Sequence, residues 1–471
     1  MNDFRVESDF LGTKKVPKAA YYGISAVRSH EIFQVSDRKF PLEVVYAIAQ
    51  IKQAAAQANF ELGMLDGTKK NAIQKACGEI ISGKFDGEFF LDVFQVGSGT
   101  PVHMTVNEVV AHRANELMTG SKEKNAVDKH DDVNMGQSTN DVVPAAIRVA
   151  AMQMLGGLDE SLVLLEKELK KKSKEFSGVL KSGRTHLQDA VPITLGQEFG
   201  AYVRAVEKHR KRLQGTKNFL KELGVGGTAV GTGLNTFPNF GGKVVLHLNK
   251  QSRQKFVLSK NKIESTQFLT DAAAVSSALK LLAVDLNKVA LDLRLMNSGP
   301  HTGLNEIDLP VVEPGSSIMP GKINPSVAEC VNMCALSVIG NDVAIGMACA
   351  NGVFELNTHM PLIASNLIES LKIMKNSARI FAVYAIRGVK AHREKCEYNV
   401  LHSAALGTAL NPLIGYEKVA KLVKESRLRG VSVKELAVKE GYISAAEAKK
   451  YLNPKNLTSP NLHLLRKGKK K

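Results

Sequence analysis

Apolar side chains recur at intervals of three and four residues over long stretches of this chain. Three such stripes are Leu158, Leu162, Leu165 and Leu169; Val275, Leu279, Leu282, Leu286, Val289 and Leu293; and Leu367, Leu371, Met374, Ala378 and Phe381. Because an α-helix has about 3.6 residues per turn, this spacing places each stripe on one face of a helix. The pattern predicts long helices, each burying one face against its neighbours.

The remaining pattern divides the 471-residue chain into three regions. A chain of 471 residues can fold as two or three domains. Residues 1–140 mix short irregular segments with helices such as Leu42–Leu62. The C-terminal region favours shorter helices over Tyr416–Glu425, Val433–Glu440 and Ala445–Tyr451. We predict a mainly α protein with an N-terminal mixed, mainly helical domain (1–140), a central long-helix bundle (141–390) and a small C-terminal helical domain (391–471).

The segment Gly315–Pro325 concentrates polar chemistry where no regular helix or strand can form. Its sequence is Gly-Ser-Ser-Ile-Met-Pro-Gly-Lys-Ile-Asn-Pro, which supplies two hydroxyls, a lysine and an amide. Gly and Pro at these spacings favour a loop. Such a loop suits the capture of a carboxylate and the stabilisation of negative charge that develops during a reaction. The alternative is a polar surface loop in which the Ser-Ser-x-x-Pro pattern occurs by chance.

The formal net charge of +17 raises the local concentration of anions, from nucleic acids to small dicarboxylates. Five of the last six residues are basic (Arg466, Lys467, Lys469, Lys470 and Lys471), and such a run is usually a solvated tail. The chain has no nucleic-acid-binding motif, no Trp and only 6% aromatic residues that can stack on bases. We therefore expect no specific nucleic-acid partner.

Cysteine usage and apolar runs bear on the cellular compartment. The five cysteines are odd in number and include no Cys-x-x-Cys pair, so we expect free thiols rather than disulfides or metal ligands. No uninterrupted apolar run approaches the ~20 residues of a membrane span. The N-terminal segment Met1–Glu7 lacks the apolar core of a signal peptide. We expect a cytoplasmic protein without membrane contact.

Four segments of the chain resemble the signature blocks of the aspartase/fumarase superfamily of lyases. They are Gly97–Thr100 with the following Asn107–Val110, then Asp132–Asp141, Gly183–Pro192 and Gly315–Pro325. The blocks stand in the family's order, and the similarity extends from about Tyr21 to about Pro454. Four blocks in register are far more specific than any one of them, so the chain is identified as a member of this superfamily.

This resemblance implies an assembly and a reaction. The assembly is a homotetramer whose core is the long-helix bundle and whose active sites are shared between subunits. In the reaction, a proton is removed beside a carboxylate of a succinyl-type compound, an aci-carboxylate dianion forms, and a group leaves to give fumarate. The dianion requires strong electrostatic stabilisation. The resemblance implies a small dicarboxylate substrate and no metal or organic cofactor.

The resemblance also assigns roles to individual residues. Ser316 matches the catalytic base, and a serine hydroxyl acts in this way only where loop dipoles and a nearby cation favour the alkoxide. Loop closure that excludes water is therefore part of the expected chemistry. Lys322 is assigned a catalytic role in the clamp on the aci-carboxylate, together with Asn324 and Thr185. The other expected substrate-binding residues are Thr100, Ser138, Thr139, Asn140 and Ser317.

For some of these residues, a purely structural role is an alternative to the functional one. The segment Ser138–Asp141 indicates a helix N-terminus, where free N–H groups favour an anion, but simple capping by Ser138 or Asp141 explains it as well. By resemblance, His186 and Glu329 form a catalytic pair in which the carboxylate fixes the imidazole tautomer and stabilises its charged form. A lone His is otherwise a hydrogen-bonded core residue, and Glu329 an early-helix acid favoured by the dipole.

Details of the blocks favour the aspartase branch over the class II fumarase branch. Tyr22, Thr139 and the stretch Gly303–Ile307 have the aspartase-like form. Asp128 and His130 stand where fumarases tend to carry the His and Asn of an accessory dicarboxylate site. We therefore expect reversible elimination of ammonia from L-aspartate, with the hydration of fumarate to L-malate as the alternative.

Other positions depart from both branches. His103 and Pro101 stand where both branches usually show Asn and a small hydroxyl residue, and His301 replaces a usual Arg. These departures leave the fine substrate preference open. A catalytically silent relative, recruited for structure or binding, is a minor alternative. The intact base, clamp and His–Glu positions argue against it.

Overall fold

The computed structural model describes residues 3–461, and 62% of the chain is helical. The predicted mainly α class is confirmed. The basic run at 466–471 lies outside the described residues, so the expectation of a solvated tail stays a prediction.

The α-helices of the described chain are numbered here in chain order. They are α1 (Ile24–Ile32), α2 (Leu42–Glu61), α3 (Gly67–Ile81), α4 (Thr100–Thr119), α5 (Thr139–Glu175), α6 (Leu195–Thr216), α7 (Phe240–Ser252), α8 (Lys262–Gln267), α9 (Thr270–Met296), α10 (Ser326–Ala350), α11 (Met360–Ile380), α12 (Arg393–His402), α13 (Asn411–Ile414), α14 (Tyr416–Arg429), α15 (Val433–Lys439) and α16 (Ala445–Tyr451). A π-helical turn, Phe381–Ala385, directly follows α11.

Short strands pair two by two. They are β1 (Phe4–Asp9), β2 (Gly12–Pro17), β3 (Leu180–Thr185), β4 (Gln188–Thr194), β5 (Glu222–Leu223), β6 (Val257–Leu258), β7 (Ile307–Asp308) and β8 (Lys390–Ala391). The pairs β1–β2, β3–β4 and β7–β8 are antiparallel, and β5–β6 is parallel. The β3–β4 hairpin has an irregular register between Ser182 and Arg184 and ends on the pair Thr185–Gln188. It therefore holds the residues between that pair, His186 and Leu187, at its tip.

The predicted stripes are the buried faces of α5, α9 and α11, and the third continues to Phe381 in the π-helical turn. Every residue named in them is at most 3% exposed. Helix bounds also agree closely where the signals are local, since α2, α15 and α16 match their predicted ranges within one residue. Helix α14 is longer than predicted, because it continues to Arg429 and ends at Gly430, whose φ of 64° is a left-handed C-terminal cap.

The chain forms two compact units, each built from three segments. The first comprises the chain up to Glu160, His209–Val284 and Cys334–Asn376. In it, α2 packs against α3 and α7, and α3 packs against α4. The second comprises Ser161–Lys208, Asp285–Met333 and the described residues from Ser377 onward.

In the second unit, the β3–β4 hairpin packs against α12. The helices α14, α15 and α16 surround a small apolar core of their own that includes Leu410, Leu422, Leu436 and Leu452. The division into domains at residues 140 and 390 stays a prediction.

Two helices of the described chain, α5 and α10, are long and apolar enough to cross a membrane if only length and composition are considered. The most apolar part of α5 is 78% buried within the chain, as in the core helix of a soluble protein, whereas that of α10 is 22% buried. This is weak evidence for a span, and the expected absence of membrane contact stays a prediction. None of the five cysteines, all of which lie within the described residues, forms a disulfide bond.

Candidate active site

The first candidate group lies at the N-terminus of α5. Ser138 Oγ accepts a hydrogen bond from the Asn140 backbone N–H (3.3 Å), and Asp141 Oδ1 accepts one from the Ser138 backbone N–H (2.9 Å). This pattern is similar to a capping box, except that Ser138 Oγ accepts from the second helical residue rather than the third, and it shows that Ser138 and Asp141 cap α5. The Asn140 side chain donates to the Ala229 carbonyl oxygen (2.8 Å). Capping leaves the positive end of the α5 dipole available to an anion.

The Thr139 hydroxyl is held by a histidine from α4. His103 Nδ1 lies 2.8 Å from Thr139 Oγ1, and His103 is only 1% exposed. Burial, reinforced by the charge of Lys52, lowers the pKa of His103 well below its ordinary value, so the imidazole is neutral at physiological pH. His103, which stands where the family usually has Asn, thus contacts the predicted substrate-binding residue Thr139.

Two buried charged groups stabilise the segment that leads into α5. The fully buried Lys52 Nζ donates to Asn134 Oδ1 (3.2 Å) and Gln137 Oε1 (3.4 Å), and burial lowers its pKa to about 7. Asp141 Oδ2 accepts from the backbone N–H groups of Gly226 (2.9 Å) and Thr228 (3.0 Å), and burial raises its pKa to about 6. Sequence reasoning missed both roles.

A strained turn positions Thr100 at the start of α4. Ser98 and Gly99 have φ values of 63° and 84°, in the left-handed region, and the Ser98 N–H donates to the Thr358 carbonyl oxygen (3.0 Å). The Ser98 and Thr100 hydroxyls lie 3.3 Å apart, and Thr100 is exposed. Pro101 falls in the first helical turn, where its missing N–H costs no hydrogen bond, so this departure is compatible with the helix start.

The second candidate group is the tip of the β3–β4 hairpin. Thr185, His186 and Leu187 are all exposed there. His186 and Leu187 have φ values of 57° and 59°, as in the two-residue turns that usually contain Asn-Gly. Side chains such as Leu are disfavoured in this conformation, which costs on the order of 1 kcal/mol per residue. His186 is therefore an exposed tip residue, and the alternative of a core histidine is wrong.

Buried charges stabilise this tip from behind. Glu306, which is fully buried, accepts a hydrogen bond from Arg184 Nη2 (2.8 Å) and lies 3.1 Å from Lys181 Nζ. Burial alone raises the pKa of Glu306, but the hydrogen bond from Arg184 and the charge of Lys181 outweigh it and lower the pKa. Lys181 also pairs with Glu198 (2.6 Å). Sequence reasoning missed Glu306, which lies 122 residues from Arg184.

The third candidate group is the loop Gly315–Pro325, which is irregular as predicted. Ser316 Oγ accepts hydrogen bonds from the backbone N–H groups of Ile318 (3.2 Å) and Met319 (2.9 Å). Asn324 Nδ2 donates to the Gly315 carbonyl oxygen (2.6 Å). Two N–H donors aimed at one oxygen favour its negatively charged form. The loop geometry thus provides part of the activation that a serine base needs.

A cavity of about 510 Å³ adjoins this loop. Its lining includes Lys322 and Lys390, with Asp308 as an opposing charge. Lys322 and Ser317 are both exposed. The cavity is large enough for a small dicarboxylate and has a net positive lining.

Glu329, in the first turn of α10, pairs with Arg294 (3.5 Å). Within the described part of a single chain, no hydrogen bond or ion pair joins Glu329 to His186, or joins the hairpin tip to the loop. The His186–Glu329 pair therefore stays a prediction. Between residues 3 and 461, no group of three or more His, Cys, Asp or Glu side chains is arranged to hold a metal ion.

Comparison with known proteins gives matches over nearly the whole chain. A family model described as "Lyase" matches residues 12–340, and one described as "Fumarase C C-terminus" matches residues 406–459. The chain is 43% identical over 463 residues to an aspartate ammonia-lyase from a Bacillus species, covering 98% of each chain.

It is also 43% identical over 467 residues to a class II fumarate hydratase from Campylobacter jejuni, covering 97% of this chain and 99% of that one. The crystal structure of a class II fumarase from Schistosoma mansoni superposes with a TM-score of 0.95 at 37% identity, covering 97% of this chain and all of that one. Similarity alone does not distinguish the two reactions.

Proposed function

The chain belongs to the aspartase/fumarase superfamily of lyases, and we propose that it catalyses the reversible elimination of ammonia from L-aspartate to give fumarate. The observation that carries this choice over the hydration of fumarate is the environment of Asp128. The other features of the candidate groups are compatible with either leaving group.

Asp128 stands where fumarases tend to carry the histidine of an accessory dicarboxylate site. Its Oδ1 accepts hydrogen bonds from the backbone N–H groups of His130 (2.7 Å) and Asp131 (2.9 Å). Burial raises its pKa, but these hydrogen bonds outweigh burial and lower it, so the carboxylate is ionised at neutral pH. A fixed negative charge repels a dicarboxylate, which argues against the fumarase type of accessory site.

The proposed chemistry begins at Ser316. As an alkoxide stabilised by the Ile318 and Met319 N–H groups, Ser316 takes a proton from Cβ, and the electron pair moves into the adjacent carboxylate. Lys322, Asn324 and Thr185 stabilise the resulting aci-carboxylate. The electron pair then forms the C=C bond while the Cα–N bond breaks and ammonia leaves with its bonding pair. His186, paired with Glu329, orients the leaving group.

The other substrate carboxylate is bound where α4 and α5 begin. Thr100 and Thr139 carry hydroxyls at these two helix N-termini, and His103 of α4 contacts Thr139 of α5. Two hydroxyl donors, with the partial positive charge of two helix ends, suit one carboxylate.

A homotetramer with shared sites fits two further observations. The first is that, among the described residues of one chain, no hydrogen bond or ion pair joins the hairpin tip to the loop or to Glu329. The second is an apolar stripe on α10, where Leu336, Val343 and Met347 are 62%, 62% and 63% exposed. Since these residues recur at heptad-like spacing on one face, we propose that α10 packs against helices of other copies rather than against lipid. The cytoplasmic location stays a prediction.

Class II fumarase activity is the second candidate function, favoured by the 43% identity to the Campylobacter jejuni enzyme. The test is the appearance of fumarate with L-aspartate or with L-malate as the sole substrate, without added cofactor. We expect fumarate from L-aspartate. Turnover of L-malate alone would establish fumarase activity, and turnover of neither substrate would favour a different leaving group or a silent relative.

A further inference from the structure

The two ring nitrogens of His103 have different surroundings. Nδ1 lies 2.8 Å from Thr139 Oγ1, whereas Nε2 is buried and has no hydrogen-bond partner among the described residues. A neutral imidazole carries one N–H, and the nitrogen that bears it decides which partner donates in the contact with Thr139.

The surroundings of Nε2 select the tautomer. A buried N–H without a partner is rarer in folded proteins than an acceptor without one, so the proton belongs on Nδ1. In this tautomer Nδ1–H donates to Thr139 Oγ1, and the Thr139 hydroxyl keeps its own hydrogen for another acceptor. Burial, reinforced by the charge of Lys52, lowers the pKa of the imidazole and opposes a second proton on the ring, so His103 remains a single donor.

The neighbours of Thr139 are already partly engaged within the chain. Ser138 Oγ accepts from the Asn140 N–H, and the Asn140 amide donates to the Ala229 carbonyl oxygen. Thr139 is 8% exposed and stands in the first turn of α5, where the helix dipole favours an anion. Among the described residues, His103 is the hydrogen-bond partner of its hydroxyl.

We propose that His103 is a positioning residue for Thr139: Nδ1–H donates to Oγ1 and directs the Thr139 O–H toward a carboxylate bound at the N-terminus of α5. This inference rests on the proposed function, because the carboxylate in question is one end of the dicarboxylate substrate. It also explains how the chain accommodates an imidazole where its relatives usually have Asn, since the Asn side-chain amide places an N–H donor at the position of Nδ1.

Binding of fumarate to the full-length protein, measured by isothermal titration calorimetry, tests the proposal without requiring turnover. His103→Leu removes the donor, and we expect the dissociation constant to rise about 10-fold, the usual effect of losing one buried hydrogen bond. His103→Asn keeps a donor at the Nδ1 position and should stay within about 3-fold of the wild type. In a Thr139→Val background, His103→Leu should have little further effect, because its action passes through the lost hydroxyl.

Several outcomes would overturn the proposal. If His103→Asn lowers the affinity for fumarate as much as His103→Leu does, His103 only supports the fold. The same conclusion follows if His103→Leu lowers the affinity equally in the wild type and in the Thr139→Val background. An unchanged affinity for fumarate with a raised KM for L-aspartate would show that Thr139 presents a lone pair to the ammonium group. Absence of fumarate binding to the wild type would also overturn it.

The proposal and the proposed function can fail separately. Coupling of His103 and Thr139 in fumarate binding, in a protein that converts neither L-aspartate nor L-malate, would support the positioning role and contradict the lyase function. Turnover of L-aspartate without coupling between His103 and Thr139 would support the lyase function and contradict the positioning role.

Discussion

Arg184 forms an ion pair with the buried Glu306, with Nη2 2.8 Å from Oε1, immediately behind the hairpin tip that carries Thr185 and His186. The tip itself is exposed and has a disfavoured backbone conformation at His186 and Leu187. Strained segments persist only where the surrounding structure fixes them, and here the ion pair supplies that constraint. The pair links the stability of the second unit to the placement of candidate catalytic residues.

Glu306→Gln should therefore reduce both stability and activity. It removes the counter-charge that Arg184 and Lys181 share, although Lys181 keeps Glu198, and the loss costs on the order of 3 kcal/mol. Urea denaturation should show the loss of stability, and kcat/KM for L-aspartate should fall with it. Glu425→Gln is the matched control, because it makes the same chemical change in the second unit at a side chain that is 47% exposed. Equal effects of the two substitutions would contradict a special role for the buried pair.

Lys52 should make stability depend on pH. Since burial lowers its pKa to about 7, the unfolded chain holds a proton on this amine between pH 7 and about 10 that the folded chain has lost. The free energy of unfolding then rises with pH in this window, by up to about 1.4 kcal/mol per pH unit from this group.

Lys52→Met should remove this contribution. The free energy of unfolding of the wild type should therefore increase relative to that of the variant from pH 7 to pH 9. Urea titrations at both pH values measure the shift. The exposed Lys124, changed to Met, serves as the control and should leave the pH dependence unchanged. A wild-type profile that Lys52→Met leaves intact would assign the pH dependence to other groups.

Ser316→Ala and Lys322→Ala should differ in kinetic signature. The Ser316 hydroxyl acts only when the Cβ proton leaves, so its loss should reduce kcat by at least about 10³-fold with little change in KM. The Lys322 cation attracts the carboxylate before and during the reaction, so its loss should raise KM and lower kcat together. Ser317→Ala, the neighbouring control, should cost less than Ser316→Ala. A Ser316→Ala enzyme with near-normal kcat would leave His186 as the next candidate for the base.

Active sites shared between subunits predict complementation between inactive variants. Ser316→Ala and a Thr185→Ala/His186→Ala double variant disable different groups. Mixed tetramers formed by subunit exchange should therefore contain some intact sites and regain activity. Exchange is verified by native mass spectrometry of tagged subunits. No recovered activity in proven mixed tetramers would mean that each site is built from one chain.

Local signals in the sequence predicted much of the fold. The stripes of α9 and α11 and the range of α16 follow from apolar spacing within each helix. The end of α14 was missed because the prediction stopped at Glu425 and did not use Gly430 as a C-terminal cap. The capping of α5 by Ser138 and Asp141 was also open to prediction, since it involves residues only three positions apart.

The charged network within the first unit needed tertiary information. Lys52 continues a stripe with Ile48 and Ala55 on the buried face of α2, which is a local signal of a buried amine. Its partners Asn134 and Gln137 are more than 80 residues away, so its role could not be inferred.

Long-range contacts limited the site prediction in the same way. Glu306 meets Arg184 across 122 residues, and His103 meets Thr139 across 36. No hydrogen bond or ion pair joins His186 to Glu329 within the described part of one chain, so that pairing stays a prediction.

The direct test of the central claim is a competition in one tube. Purified protein is incubated with fumarate and ammonium in water, and the product is identified by ¹H NMR, since addition of ammonia gives aspartate and addition of water gives malate. The account predicts aspartate as the product, with no malate formed faster than in a control with Ser316→Ala. Malate as the sole product would contradict it and identify the protein as a fumarase.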